Sequence, residues 1–158
     1  MDESATTLDD YARSFELALK GGQQTLEPCA AAAVANPRPG IAFKAYTGVW
    51  NALPDTTKLT PAAEGIASHV HDDAWPQDAN YALCFSGYFE APADGVYTFT
   101  IGSNDGSRLT LGDKVLDNDG LHSIREKFMH VALRKGYHPL RVEYFQEGGS
   151  KALYLRYD

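Results

Sequence analysis

The sequence predicts an all-β domain, an antiparallel sandwich or barrel, carried behind a short N-terminal helical extension. Three observations support that expectation. From Ile41 onward apolar and polar residues alternate with period two, the spacing that turns one side of an extended strand toward a core. Turn signals then separate the alternating runs at short intervals: Asp94-Gly95, Asp105-Gly106, Gly112-Asp113, Asp119-Gly120, Lys135-Gly136 and Gly148-Gly149. Finally, 158 residues that are 44% hydrophobic suit one domain with a real core and leave little room for a second.

In chain order, Thr7 to Lys20 reads as an amphipathic helix, with Leu8, Tyr11, Ala12, Phe15, Ala18 and Leu19 on one face. Thr7 caps its start, Lys20 suits the negative end of its dipole, and Gly21-Gly22 stops it. Residues 23–40 turn Ala- and Pro-rich and read as a linker or a segment lying over the surface, with room for a helical turn in the alanine run. The division is therefore 1–40, helix and linker from the edge of a preceding domain, and 41–158, the β domain. Strands are expected over Ile41–Tyr46, Tyr81–Glu90, Val96–Ile101, Arg108–Leu111, Lys114–Leu116, Phe128–Leu133, Pro139–Phe145 and Ala152–Tyr157. Tyr97 and Phe99 share one side of their strand, as Phe85 and Phe89 do of theirs, and both sets are expected in the core.

A formal charge of −7 argues against nucleic acid and anionic lipid as partners, since both call for a basic face. No apolar run is long enough to span a membrane, so no membrane insertion is expected. Met1 is followed by acidic and polar residues and not by a signal peptide. The expectation is a piece of a longer exported chain, extracellular or periplasmic. Cys29 and Cys84 lie in separate segments, and spacing alone does not pair them.

Few motifs speak of chemistry. No nucleophile elbow, phosphate loop or dinucleotide fingerprint is present, and the domain is not expected to be an enzyme. His69 and His71 share a face if extended but lack a third ligand of clear spacing. Asp117-Asn118-Asp119-Gly120 begins like a calcium loop yet has neither the glutamate at the twelfth position nor flanking helices, so it reads as a turn, with Arg108 placed to pair with Asp117 or Asp119. Of the two tryptophans, Trp50 reads as a packed plug and Trp75 as the better platform for a sugar ring.

The stretches Phe85-Ser-Gly-Tyr-Phe-Glu-Ala-Pro-Ala-Asp-Gly-Val-Tyr-Thr-Phe-Thr, Ser103-Asn-Asp-Gly-Ser-Arg-Leu, Val115-Leu-Asp-Asn-Asp-Gly-Leu-His and Lys135-Gly-Tyr-His-Pro-Leu-Arg-Val-Glu-Tyr-Phe resemble a known family. It is the PA-fourteen family, the lectin-like β-sandwich named after the N-terminal fragment of anthrax protective antigen. Its members include heads of yeast adhesins and modules attached to glycosidases and sulfatases. The resemblance covers about Ile41 to Asp158. It implies a β-sandwich with jelly-roll-like topology and a non-catalytic carbohydrate-binding role beside a glycan-active parent; the alternative is a structural accessory domain packed on a catalytic domain.

In sugar-binding members two adjacent acidic residues, joined by a cis peptide, share a calcium ion that meets the sugar hydroxyls. The resemblance puts Asn104 and Asp105 at that place, with Gln146 as the third metal ligand. Here the first acid is an amide, and Glu147 restores the lost charge if its side chain turns inward. The implied ligand-binding set is Asn104, Asp105, Glu147 and Ser150, joined by Trp75, and the implied partner is a glycan or an attached catalytic domain.

Overall fold

A computed structural model describes residues 26–158; the helix expected over Thr7–Lys20 lies outside them. Nine strands occur among the described residues: β1 Ile41–Thr47, β2 Ala63–Ala67, β3 Tyr81–Ala91, β4 Gly95–Asn104, β5 Ser107–Leu111, β6 Lys114–Asn118, β7 Arg125–Leu133, β8 Gly136–Gln146 and β9 Ala152–Tyr157. They build two antiparallel sheets, one of six strands in the order β2-β1-β3-β8-β5-β6 and one of three in the order β7-β4-β9. The crossovers between sheets make this the sandwich that the alternation pointed to.

All eight expected strands are present, most of them longer than their apolar runs, because ladder hydrogen bonding continues past the last core residue. β2 was not foreseen. Its Ala63-Glu-Gly-Ile-Ala has one β-branched residue and a glycine, so its propensity is poor. It exists because β1 offers an open edge, pairing Phe43 with Gly65 and Ala45 with Ala63. The alanine run before β1 is likewise extended and holds no helical turn. Cys29 N–H donates to Ala132 O at 2.9 Å and Ala32 N–H to Tyr137 O at 2.8 Å, bonds to fixed strands that outweigh alanine's modest helix preference.

Pro139 sits inside β8, between β3 and β5. Its carbonyl accepts Gly112 N–H at 2.8 Å, so its missing donor faces the side on which β5 has already turned away at Leu111.

The core fills the space between the sheets. Tyr81, Leu83, Phe85, Leu109, Val142 and Tyr144 face it from the larger sheet, and Tyr97, Phe99, Ile101, Val131, Leu133 and Leu153 from the smaller one. A second cluster lies on the outer face of the large sheet: Tyr46, Ala82, Cys84 and Phe145, covered by Trp50 and Leu53. That cover explains why Tyr81 to Phe85 is buried at every position, where a one-sided strand would alternate. It also brings residues 48–54 to the end of the sandwich where β4 meets β5.

Candidate functional site

The turn from β4 into β5 rests on a buried polar network. Ser103 Oγ donates to Asp105 O at 2.6 Å and lies 2.6 Å from Ser107 Oγ. Asn118, fully buried at the end of β6, reaches both hydroxyls with Nδ2 and donates to Arg125 O at 3.0 Å, while its Oδ1 accepts from Arg125 Nε at 2.8 Å. Gly106 completes the turn. A Cβ there would meet Phe145 Cε1 at 2.5 Å, Asp119 Oδ1 at 2.7 Å and Gly120 N at 2.8 Å, so the close approach requires glycine. On this base the Asn104–Asp105 peptide is cis.

Asp105 ties three loops together. Its carboxylate, only 6% exposed, accepts His122 N–H on Oδ1 at 3.2 Å and Glu147 N–H on Oδ2 at 3.0 Å. Two backbone amides facing one carboxylate are charge-assisted bonds, stronger than neutral ones. Asp119 does a similar task one loop away, accepting Leu53 N–H at 2.8 Å and Gly120 N–H at 2.7 Å. The His122 ring nitrogens lie 2.8 Å from Asn118 O and Ser123 O and hold the loop between β6 and β7.

Tyr144 and Gln146, successive inward residues of β8, finish the floor. Tyr144 Oη donates to Asn104 O at 2.7 Å, and burial pushes its hydroxyl well above the ordinary tyrosine value. Its neighbour Tyr81 is pushed up to about 12 for the same reason. Gln146 is buried and turns its amide back on its own loop: Nε2 donates to Gly148 O at 2.8 Å and Gly149 O at 3.3 Å, while Oε1 lies 3.3 Å from Tyr144 Oη. The two carbonyls only accept, which fixes the amide nitrogen on their side.

Above these groups lies a shallow depression of about 390 Å³ lined by Val49, Trp50, Asn51, Leu121 and Glu147. Glu147 is the member of the expected ligand set that lines it. Asn104 and Asp105 do not line it: Asp105 anchors the N–H groups of His122 and Glu147 beside it, Asn104 gives only its backbone carbonyl to Tyr144, and Ser150 is exposed on the loop beyond. Trp75 is half-buried against the main core and gives its indole N–H to Gln77 Oε1 at 2.7 Å; it does not line the depression. Trp50 packs on the outer cluster, the plug its sequence position suggests, and is also among the residues that line the depression. Sequence reasoning missed Val49, Asn51 and Leu121. A tryptophan beside an asparagine in a loop bracketed by Gly48 and Pro54 was the available signal.

The motifs set aside behave as turns and packing. Arg108 lies 3.4 Å from Asp117, 3.8 Å from Asp119 and 3.7 Å from Glu143 on the outer face of the large sheet. The His69 and His71 rings stack with centroids 4.4 Å apart. Among the described residues no three His, Cys, Asp or Glu side chains converge as a metal site. No helix among them is long and apolar enough to cross a membrane. Cys29 and Cys84 are both free thiols.

The calcium implied by the resemblance meets a donor set that does not fit it. Calcium takes six to eight oxygens and is usually held by more than one carboxylate. Here Asp105 is the only carboxylate of the expected triad, so one formal negative charge would face the two positive charges of the ion. Gln146 points an N–H donor, not an oxygen, at the loop carbonyls that a cation would need.

A family model described as PA14 domain matches residues 43–158. The PA14 sugar-binding domain from an RTX adhesin superposes with a TM-score of 0.62 at 16% identity, over 76% of this chain and 89% of that one. The Epithelial Adhesin 9 A domain from Candida glabrata, solved in complex with Galβ1-3GlcNAc, gives 0.60 at 14% identity over 83% and 88%. A β-glucosidase from Kluyveromyces marxianus gives 0.59 at 17% identity over 75% of this chain. The chain spans only 15% of that glucosidase and 43% of an anti-sigma factor domain-containing protein of the same fold. Identities this low establish likeness of fold. No curated protein sequence matches the chain.

Proposed function

The chain belongs to the PA14 domain family, and we propose that it is a non-catalytic carbohydrate-binding module of a larger, exported, glycan-active enzyme or adhesin. The observation that carries this reading is the depression at the end of the sandwich. It is lined by the half-buried Trp50 and by the exposed Asn51 and Glu147, whose side chains carry an indole, an amide and a carboxylate. Sugars are bound by that combination: C–H faces lie on aromatic rings, and hydroxyls donate to carboxylates and amide oxygens. The neighbours agree in kind, since one is called a sugar-binding domain and another was solved with a disaccharide.

The loops are held before any ligand arrives. Asp105, Asp119 and Gln146 spend their hydrogen bonds on the backbone of residues 53, 120, 122 and 147–149, so little ordering entropy remains to be lost on binding. Glycan microarray screening of the purified domain, followed by calorimetry on the glycans retained, tests the proposal. Retention of at least one glycan by the wild type and its loss in Glu147→Ala and Asn51→Ala, both exposed and outside the core, is the expected result. A wild type that retains nothing, or variants that bind unchanged, would overturn it.

A second reading, an accessory domain that packs on a catalytic domain without a ligand of its own, draws on the other face. Ile66, Tyr88 and Val115 stand 54–71% exposed on the outer side of the large sheet, and a glycosidase shares the fold. Substitution of those residues would then release the domain from its parent while leaving glycan binding untouched.

A further inference from the structure

We infer that this end of the sandwich binds its ligand without a divalent cation, and that the ligand is an uncharged, hydroxyl-rich sugar met directly by Asn51, Glu147 and Trp50. The inference rests on the glycan-binding reading for its ligand, but its first half stands on hydrogen bonds alone. A bridging cation at such a turn would do two things: gather the oxygens of two loops against one another, and offer open coordination positions to the ligand. The first task is done here by groups of the chain itself. Asp105 holds the loop at His122 and the loop at Glu147 through their N–H groups, at 3.2 and 3.0 Å. Gln146 draws in the carbonyls of Gly148 and Gly149, an amide N–H₂ standing where a positive charge would gather oxygens. Gln146 is 1% exposed and Asp105 6%, so neither is free to swing toward a ligand.

Removing the cation also fixes the ligand's charge. With no positive ion between protein and sugar, the nearest charged group in the depression is the Glu147 carboxylate, exposed and without a hydrogen-bond partner among the described residues. It accepts from hydroxyls and repels carboxylates and sulfates at contact distance, where like charges in a partly desolvated site are unfavourable. The cations of this region are engaged elsewhere: Arg108 with Asp117, Asp119 and Glu143, Arg125 with Asn118 and the Asp119 carbonyl, Lys127 with the Asp117 carbonyl, and Lys151 with Asp73 and Asp78. A net charge of −7 adds to the same bias. Neutral, hydroxyl-rich oligosaccharides suit this charge arrangement, and uronates, sialylated and sulfated glycans do not.

The test begins without any sugar. Thermal melts and calorimetry of the whole chain are run in EDTA and in millimolar calcium. The expected result is an unchanged melting temperature and no heat of calcium binding. A rise in melting temperature with calcium, or a measurable binding heat, overturns the inference whatever the glycan result. The variant N104D/Q146N supplies a second carboxylate and removes the long amide that reaches Gly148 and Gly149. It is expected to gain a calcium-dependent rise of several degrees through ligand linkage. If that variant does not fold, the wild-type calorimetry still decides.

The microarray is then repeated in EDTA. Neutral glycans retained equally with and without chelator support the inference, whereas loss of binding in EDTA refutes it while leaving the glycan-binding reading intact. Preference for sulfated or sialylated glycans refutes the assignment of ligand charge. Binding of no glycan, with melts indifferent to calcium, removes the glycan reading and leaves the cation-independent closure standing.

Discussion

Replacing Asp105 by asparagine probes the centre on which the loops converge. The carboxylate accepts two backbone N–H groups, from His122 and Glu147, in a site 6% exposed. A hydrogen bond to a charged group contributes about 1.5–3 kcal/mol, and a buried donor left unpaired costs about 1–3 kcal/mol. Asparagine keeps one acceptor oxygen and turns an N–H₂ against the second amide, so at least one bond is lost and one donor is orphaned. The sum, allowing for partial relaxation, is about 2–4 kcal/mol.

For a domain of this size that corresponds to a fall in melting temperature of roughly 5–15 °C. Urea unfolding reads the free energy, and hydrogen exchange reads the location: the His122 and Glu147 amides should exchange much faster in D105N while the amides of Leu83 and Val142 in β3 and β8 change least. The cost should be the same with or without calcium. A variant within about 0.5 kcal/mol of wild type, with both amides still protected, would refute the assignment of Asp105 as the anchor of these loops.

Three further outcomes follow from the same structure. Gly106→Ala, whose Cβ meets Phe145, Asp119 and Gly120 at 2.5–2.8 Å, should destabilise by about 2 kcal/mol or more in urea unfolding, and neutrality would mean that the turn can open freely. In alkaline titration followed by tyrosine absorbance, Tyr81 and Tyr144 should remain neutral near pH 10, because burial raises both hydroxyls. Their contribution to stability is complete below the unfolded value near 10 and is lost as pH rises through about 12 and beyond, so they should ionise only together with unfolding. Asp94 is held below the ordinary carboxylate value by Lys135 N–H at 2.7 Å and by Arg134. D94N should therefore cost less than about 1 kcal/mol at neutral pH, the site being partly exposed, and the gap should close as pH falls through the depressed value. A gap that widened in acid would contradict that assignment.

Much of the fold was legible because alternation and turns are local properties. The run from Phe85 to Thr100 carries two strands, their turn and four core aromatics in one reading. β2 was invisible for the opposite reason: Ala63 to Ala67 is a strand only because β1 has an edge to pair with, and the sequence of β2 alone contains no such information. The site divides in the same way. Asn104-Asp105 and the loop after Gln146 were singled out by the family resemblance, and the structure brings both to one end of the sandwich. What they do there was hidden, since the partners of Asp105 are backbone N–H groups that every residue but proline possesses, and only the fold selects those of His122 and Glu147. Trp75 reads as a sugar platform from its loop-like surroundings beside Pro76; the packing places it against the core, and Trp50 lines the depression.

The central claim is that a sugar sits against Glu147 and Asn51 at this end of the molecule. Titration of the isotopically labelled domain with a neutral glycan retained on the microarray, followed by amide NMR, tests it most directly. Shifts should concentrate on residues 49–51, 121–122 and 147–149, persist in EDTA, and vanish in Glu147→Ala. Shifts confined to the outer face of the large sheet, around Ile66, Tyr88 and Val115, or shifts at the loop end that survive Glu147→Ala unchanged, would contradict it.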